Sequence, residues 1–148
     1  MSGENIPESV KAKHYKELIV WQRSMALAKV AFELTQRFPA DDKFGLTSFI
    51  RRSAFSIPSS IAKGQARHET RDFLQQLSYA DGYLAELETQ LLLSVDLGFC
   101  KQSDIESALK EIDELQRMIS AIARKLGSNS PLATRHSPLP HNETKDSD

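Results

Sequence analysis

Ser60-Ile-Ala-Lys63 matches the S-x-x-K spacing of serine acyl transfer, in which a lysine or partner base takes the proton of an attacking hydroxyl. The Lys-Thr-Gly element that accompanies it in such enzymes is absent from the chain, so the match carries no acyl-transfer site. A carboxylate-bridged di-iron centre in a helical bundle needs Glu-x-x-His on two helices, and no Glu-x-x-His occurs. Glu86 and Glu88 stand two residues apart, a spacing that points helical side chains in different directions and spoils an acid/base pair. His14, His68, His136 and His141 fall near a terminus, between helices and in the tail, where solvation is the plainer reading. No glycine-rich phosphate loop is present, and the single Cys100 excludes an internal disulfide or an all-cysteine metal site. The expectation is a chain that is not an enzyme, with no catalytic, cofactor-binding or metal-ligating residue.

The remaining candidates are cations, and helices must position them. Leu18, Trp21, Met25, Ala28 and Phe32 form one apolar stripe, and Val20, Leu27, Ala31 and Leu34 a second beside it. This predicts a first helix with a wide apolar face over 18–38, ended by Pro39. Leu46, Phe49, Ile50, Ser53, Ile57, Ile61 and Gly64 recur with helical period and define a second helix. Pro58 lies inside it, removing one backbone bond and crowding the carbonyl of Ala54, so a kink rather than a stop is expected there. Ser53, Ser56, Ser59 and Ser60 supply small surfaces for close helix approach. Thr70 is placed to cap a third helix whose seam runs Phe73, Leu77, Ala80, Leu84, Leu87, Leu91, with Gly98 as terminator. Ser103 and Glu106 form the capping-box pattern of a fourth, carrying Ile105, Leu109, Ile112, Ile119, Ala123 and Leu126.

Four amphipathic helices with short connections imply an all-α, antiparallel up-and-down four-helix bundle over residues 17–127. An N-terminal extension (1–16) and a disordered C-terminal tail (128–148) flank it, the tail holding three prolines and little to bury. At 148 residues and 40% hydrophobic, one domain with a real core is the natural prior. No apolar run approaches a membrane span and no export signal opens the chain, which with one cysteine gives a cytoplasmic expectation.

Net charge is only −1, so any anionic partner must be met by a local patch. Residues 46–71 carry a net charge of +4, whereas 72–100 carry −5 and no lysine or arginine. If the second and third helices fold as a hairpin, Arg51 and Arg52 lie opposite the Tyr83–Glu86 region, and structural ion pairs with Glu86 and Glu88 explain them. Lys63, Arg67 and Arg71 sit nearer the hairpin tip with only Glu69 and Asp72 close by. They are the candidate nucleic-acid-binding residues.

The stretches "LIVWQRSMALAKVAFELTQRFP", "FGLTSFIRRSAFSIPSSIAKG" and "AELETQLLLSVDLG", in this order, resemble the bacterial four-helix bundle family of 23S rRNA intervening-sequence proteins. The resemblance runs from about Tyr15 to Leu126. It implies a homopentamer without known catalysis and with nucleic-acid binding, rRNA or another structured nucleic acid being the partner. A related branch is similar to the accessory variability proteins of diversity-generating retroelements, whose pentamers also bind a reverse transcriptase. The chain departs from the family pattern at Ser60 and Lys63, where asparagine and glutamate are usual, and at Phe49, where glutamine is. Exchanging an acid for Lys63 moves that face by two charge units, toward a different partner or subunit contact.

Overall fold

The computed structural model describes residues 14–127. Four helices account for most of them: α1 (Ile19–Thr35), α2 (Leu46–Ala66), α3 (Thr70–Asp96) and α4 (Gln102–Leu126). Each packs on its neighbours in sequence and α1 closes on α4, so the chain is an all-α up-and-down four-helix bundle. The expected tail lies outside the described residues, as does most of the expected N-terminal extension. Its last residues join the domain: a single 3-10 turn over Tyr15–Glu17 sets the Tyr15 ring edge-on to Trp21 at 5.3 Å.

The third-helix seam is buried as its spacing demands, with Phe73, Leu77, Ala80, Leu84, Leu87 and Leu91 all fully inaccessible. They meet Ile50, Ala54, Ile57 and Ile61 of α2 and Ile105, Ile112, Leu115 and Ile119 of α4 in one core. Pro58 sits within α2, which runs unbroken from Leu46 to Ala66. Gly64 marks a close approach of α2 to α3. A β-carbon built there would lie 2.8 Å from Gln76 Cβ and 3.2 Å from Phe73 Cα.

The wide apolar face of α1 divides in two. Val20, Leu27, Ala31 and Leu34 enter the core, whereas Met25 and Phe32 stay exposed and Trp21 is half-buried. With Phe55 and Pro58 of α2 these three line an open groove of about 570 Å³.

Helix ends depart from the sequence expectation in instructive ways. α1 stops at Thr35 rather than Phe38; Thr35 turns its hydroxyl back onto the Ala31 and Phe32 carbonyls (3.0 and 2.9 Å), and Phe38 instead packs edge-on against Phe99. Thr70 does not cap α3. Glu69 holds the cap position in extended conformation, and the buried Thr70 hydroxyl finds no hydrogen-bond partner. The turn before it places His68 at φ 60°, a left-handed conformation that closes α2. At α4 the carboxylate of Asp104, not Glu106, accepts the backbone N–H of Lys101 at 2.8 Å, so the box lies two residues earlier than Ser103 and Glu106 suggest. The start of α2 is held from a distance: Asp42 accepts from the backbone N–H groups of Leu46 (3.2 Å) and Thr47 (2.7 Å), where the helix dipole favours a carboxylate.

Candidate nucleic-acid interface

Lys63 and Arg67 stand one helical turn apart at the end of α2, a spacing that puts both on one face. They border a hollow of about 400 Å³ completed by Ala66, Asp72, Gln75 and Gln76. All three candidate cations are exposed. Arg71, in the first turn of α3, lies outside the lining of that hollow. Asp72 reaches Arg67, with Oδ2 3.3 Å from Nε, and so offsets part of its charge. Lys63 and Arg71 make no ion pair among the described residues. The geometry therefore gathers two cations at one hollow, sets a third across the turn, and opposes them with one carboxylate contact.

The ion pairs expected at Arg51 and Arg52 are not formed. Arg51 turns toward α1, where its Nε donates to Thr35 Oγ1 at 2.8 Å and its guanidinium lies 4.2 Å from the centre of the Phe32 ring. Glu86 does meet α2, but through Ser53, whose hydroxyl donates to Oε1 at 2.8 Å. Arg52 is exposed and Glu88 half-buried, and neither joins an ion pair among the described residues. The physical reason is angular: adjacent residues on a helix point about 100° apart, so Arg51 and Arg52 cannot both face α3, and Ser53 is the residue that does. Arg51→Ala is expected to cost about 1–2 kcal/mol, from a hydrogen bond and a cation–ring contact, and Arg52→Ala almost nothing. Thermal melts followed by helical circular dichroism decide this. Equal midpoints for the two variants would contradict the assignment.

The strongest polar link between helices joins residues far apart in sequence. Arg23 of α1 grips Glu111 of α4 through two parallel hydrogen bonds (Nε to Oε2 2.8 Å, Nη2 to Oε1 2.7 Å) and reaches Glu114 at 2.6 Å. The hydrogen bonds to Glu111, and then to Glu114, raise the guanidinium pKa further above its ordinary value. Being partly exposed, this clamp orients α1 against α4 more than it adds stability.

The reactive-group readings meet a similar test. Ser60 is buried, Lys63 is exposed, and no hydrogen bond joins them. Among the described residues no group of three or more His, Cys, Asp or Glu is placed to hold a metal. Burial, and after it the charge of Asp104, push the Cys100 thiol above its ordinary pKa. At pH 8 Cys100 should thus react with iodoacetamide more slowly than a free cysteine. A rate equal to or above the free amino acid would contradict this.

The described residues place the chain among small all-α four-helix bundle proteins. The sequence model of the 23S rRNA-intervening sequence proteins matches residues 16–121, and the chain belongs to that family. A crystal structure from Bacteroides thetaiotaomicron, described as a protein with unknown function from the S23 ribosomal protein family, is similar in fold. Its TM-score is 0.67 at 22% identity, over 72% of this chain and 99% of that one. No curated protein shows significant similarity to the chain. None of the described helices is long and apolar enough to cross a membrane.

Proposed function

We infer that the chain is a non-enzymatic, cytoplasmic homo-oligomer, a pentamer by the resemblance, that binds structured RNA or DNA through Lys63, Arg67 and Arg71. The observation that carries this reading is their shared exposure at one end of the bundle against a single carboxylate contact, that of Asp72. Repetition around an assembly would multiply a small patch into a multivalent basic surface although the chain's net charge is −1. Membership of a family named for 23S rRNA intervening sequences supports RNA as the partner. Sequence discrimination should be slight, since the chain has no base-reading module.

The reading is tested first during purification. Protein isolated at low salt is expected to carry nucleic acid, seen as excess absorbance at 260 nm, and to lose it in high salt. Material free of nucleic acid at low salt counts against it. An accessory role beside a retroelement reverse transcriptase is a close variant of this reading, and the apolar groove between α1 and α2 favours a second one, a scaffold that binds only protein.

A further inference from the structure

Among the described residues, two exposed apolar surfaces are flanked by opposite charge. The first is the groove between α1 and α2, floored by Trp21, Met25, Phe32, Phe55 and Pro58. Met25 and Phe55 are each 46% exposed, large values for side chains of this kind. The groove lining contains one charged residue, Lys29, and no carboxylate. Arg51 lies over its Phe32 wall.

The second surface is the last part of α3. Leu93 and Leu97, 44% and 56% exposed, are one turn apart, and Leu92 beside them is 42% exposed. Glu88 and Asp96 flank Leu92 at four-residue spacing on the same helix face. Neither carboxylate joins an ion pair among the described residues, and α3 holds no lysine or arginine after Arg71.

We propose that the groove of one copy receives the Glu88–Leu97 surface of a second copy. This rests on the homo-oligomer reading above and names the surfaces that would build it. Apolar area meets apolar area, and the acidic flank of α3 meets the cations beside the groove, which desolvation alone would leave uncompensated. The proposed contact is head-to-tail, each copy offering its groove to one neighbour and its α3 surface to another, rather than a reciprocal pairing of both surfaces within one two-fold dimer. Such contacts close into rings or run on as filaments, and they do not stop at a two-fold dimer. The charge asymmetry between α2 and α3 then acts between subunits as well.

Two variants test this, both altering exposed positions: Met25→Glu with Phe55→Glu in the groove, and Leu93→Glu with Leu97→Glu on α3. Light scattering at matched concentration gives the mass, with far-ultraviolet circular dichroism confirming the helices. Wild type is expected to be an oligomer and each variant alone a single subunit of 16.6 kDa. Mixed, the variants should form a one-to-one pair at twice that mass, because the groove variant retains its α3 surface and the α3 variant its groove. If the groove variant proves unfolded, Lys29→Glu replaces it, and is expected to weaken assembly about tenfold by reversing the sign of the groove. An oligomeric wild type whose variants keep full mass, or whose monomeric variants fail to pair on mixing, overturns the docking and leaves the homo-oligomer reading standing. A monomeric wild type overturns both.

Discussion

Gly64→Ala is expected to destabilise the bundle by up to about 2 kcal/mol, although alanine is the better helix former. Alanine in a helix interior gains about 1 kcal/mol over glycine. At Gly64 that gain is opposed by a β-carbon 2.8 Å from Gln76 Cβ and 3.0 Å from the Phe73 ring, with the Phe73 backbone close behind. Relieving the overlap means moving α3 off α2, and such overpacking costs about 1–3 kcal/mol. Gly82, in the middle of α3, is the control, since a β-carbon there meets nothing within 4 Å. Gly82→Ala should stabilise by about 0.5–1 kcal/mol. Urea denaturation at one fixed protomer concentration compares them, because assembly would make stability concentration-dependent. Two variants that both gain stability would contradict the close approach described at Gly64.

The architecture was readable because burial repeats along each helix. The spacing of Phe73, Leu77, Leu84 and Leu91 announces a seam without knowledge of what covers it, and each is fully inaccessible. Partner choice is not periodic, and there the sequence misleads. Charge asymmetry says that α2 and α3 attract; it cannot say that Arg51 turns to Thr35 and leaves Ser53 for Glu86. Asp81, counted with the acidic face of α3, is 1% exposed, because only the bundle decides which acid falls on the inner side. Arg23 of the first helix meets Glu111 and Glu114 of the last, far away in sequence, a pairing that no local spacing announces. Cap positions failed for a related reason. Asp42 reaches α2 from four and five residues away, so the residues nearest a helix start need not be the ones that hold it.

Of the hairpin-tip cations, only their exposure and their nearness to one turn were legible in the sequence, because the turn is short and few acids surround it. The groove was legible only as an excess, a first-helix face too wide for one seam. Whether Met25 and Phe32 would be buried or left outside depended on how α2 leans on α1, and Pro58 and Phe55 complete that wall from another helix.

The largest expected effect belongs to the basic patch, and it decides the functional reading. Each phosphate contact releases condensed counterions, so the logarithm of affinity falls with the logarithm of salt by about 0.9 per contact on duplex DNA. Lys63, Arg67 and Arg71 together would contribute a slope of between roughly 2 and 3 per engaged subunit, Arg67 giving the least because Asp72 already holds it. The measurement is a titration of wild type and the Lys63→Ala, Arg67→Ala, Arg71→Ala triple variant with structured RNA and with duplex DNA at several salt concentrations. Light scattering must first show that the variant keeps the wild-type mass. The account predicts tight low-salt binding by wild type that weakens steeply with salt, and a variant that binds more weakly with a slope flatter by about 2 to 3 for each engaged subunit. Wild type that fails to bind at low salt, or a variant with unchanged affinity and slope, would contradict it.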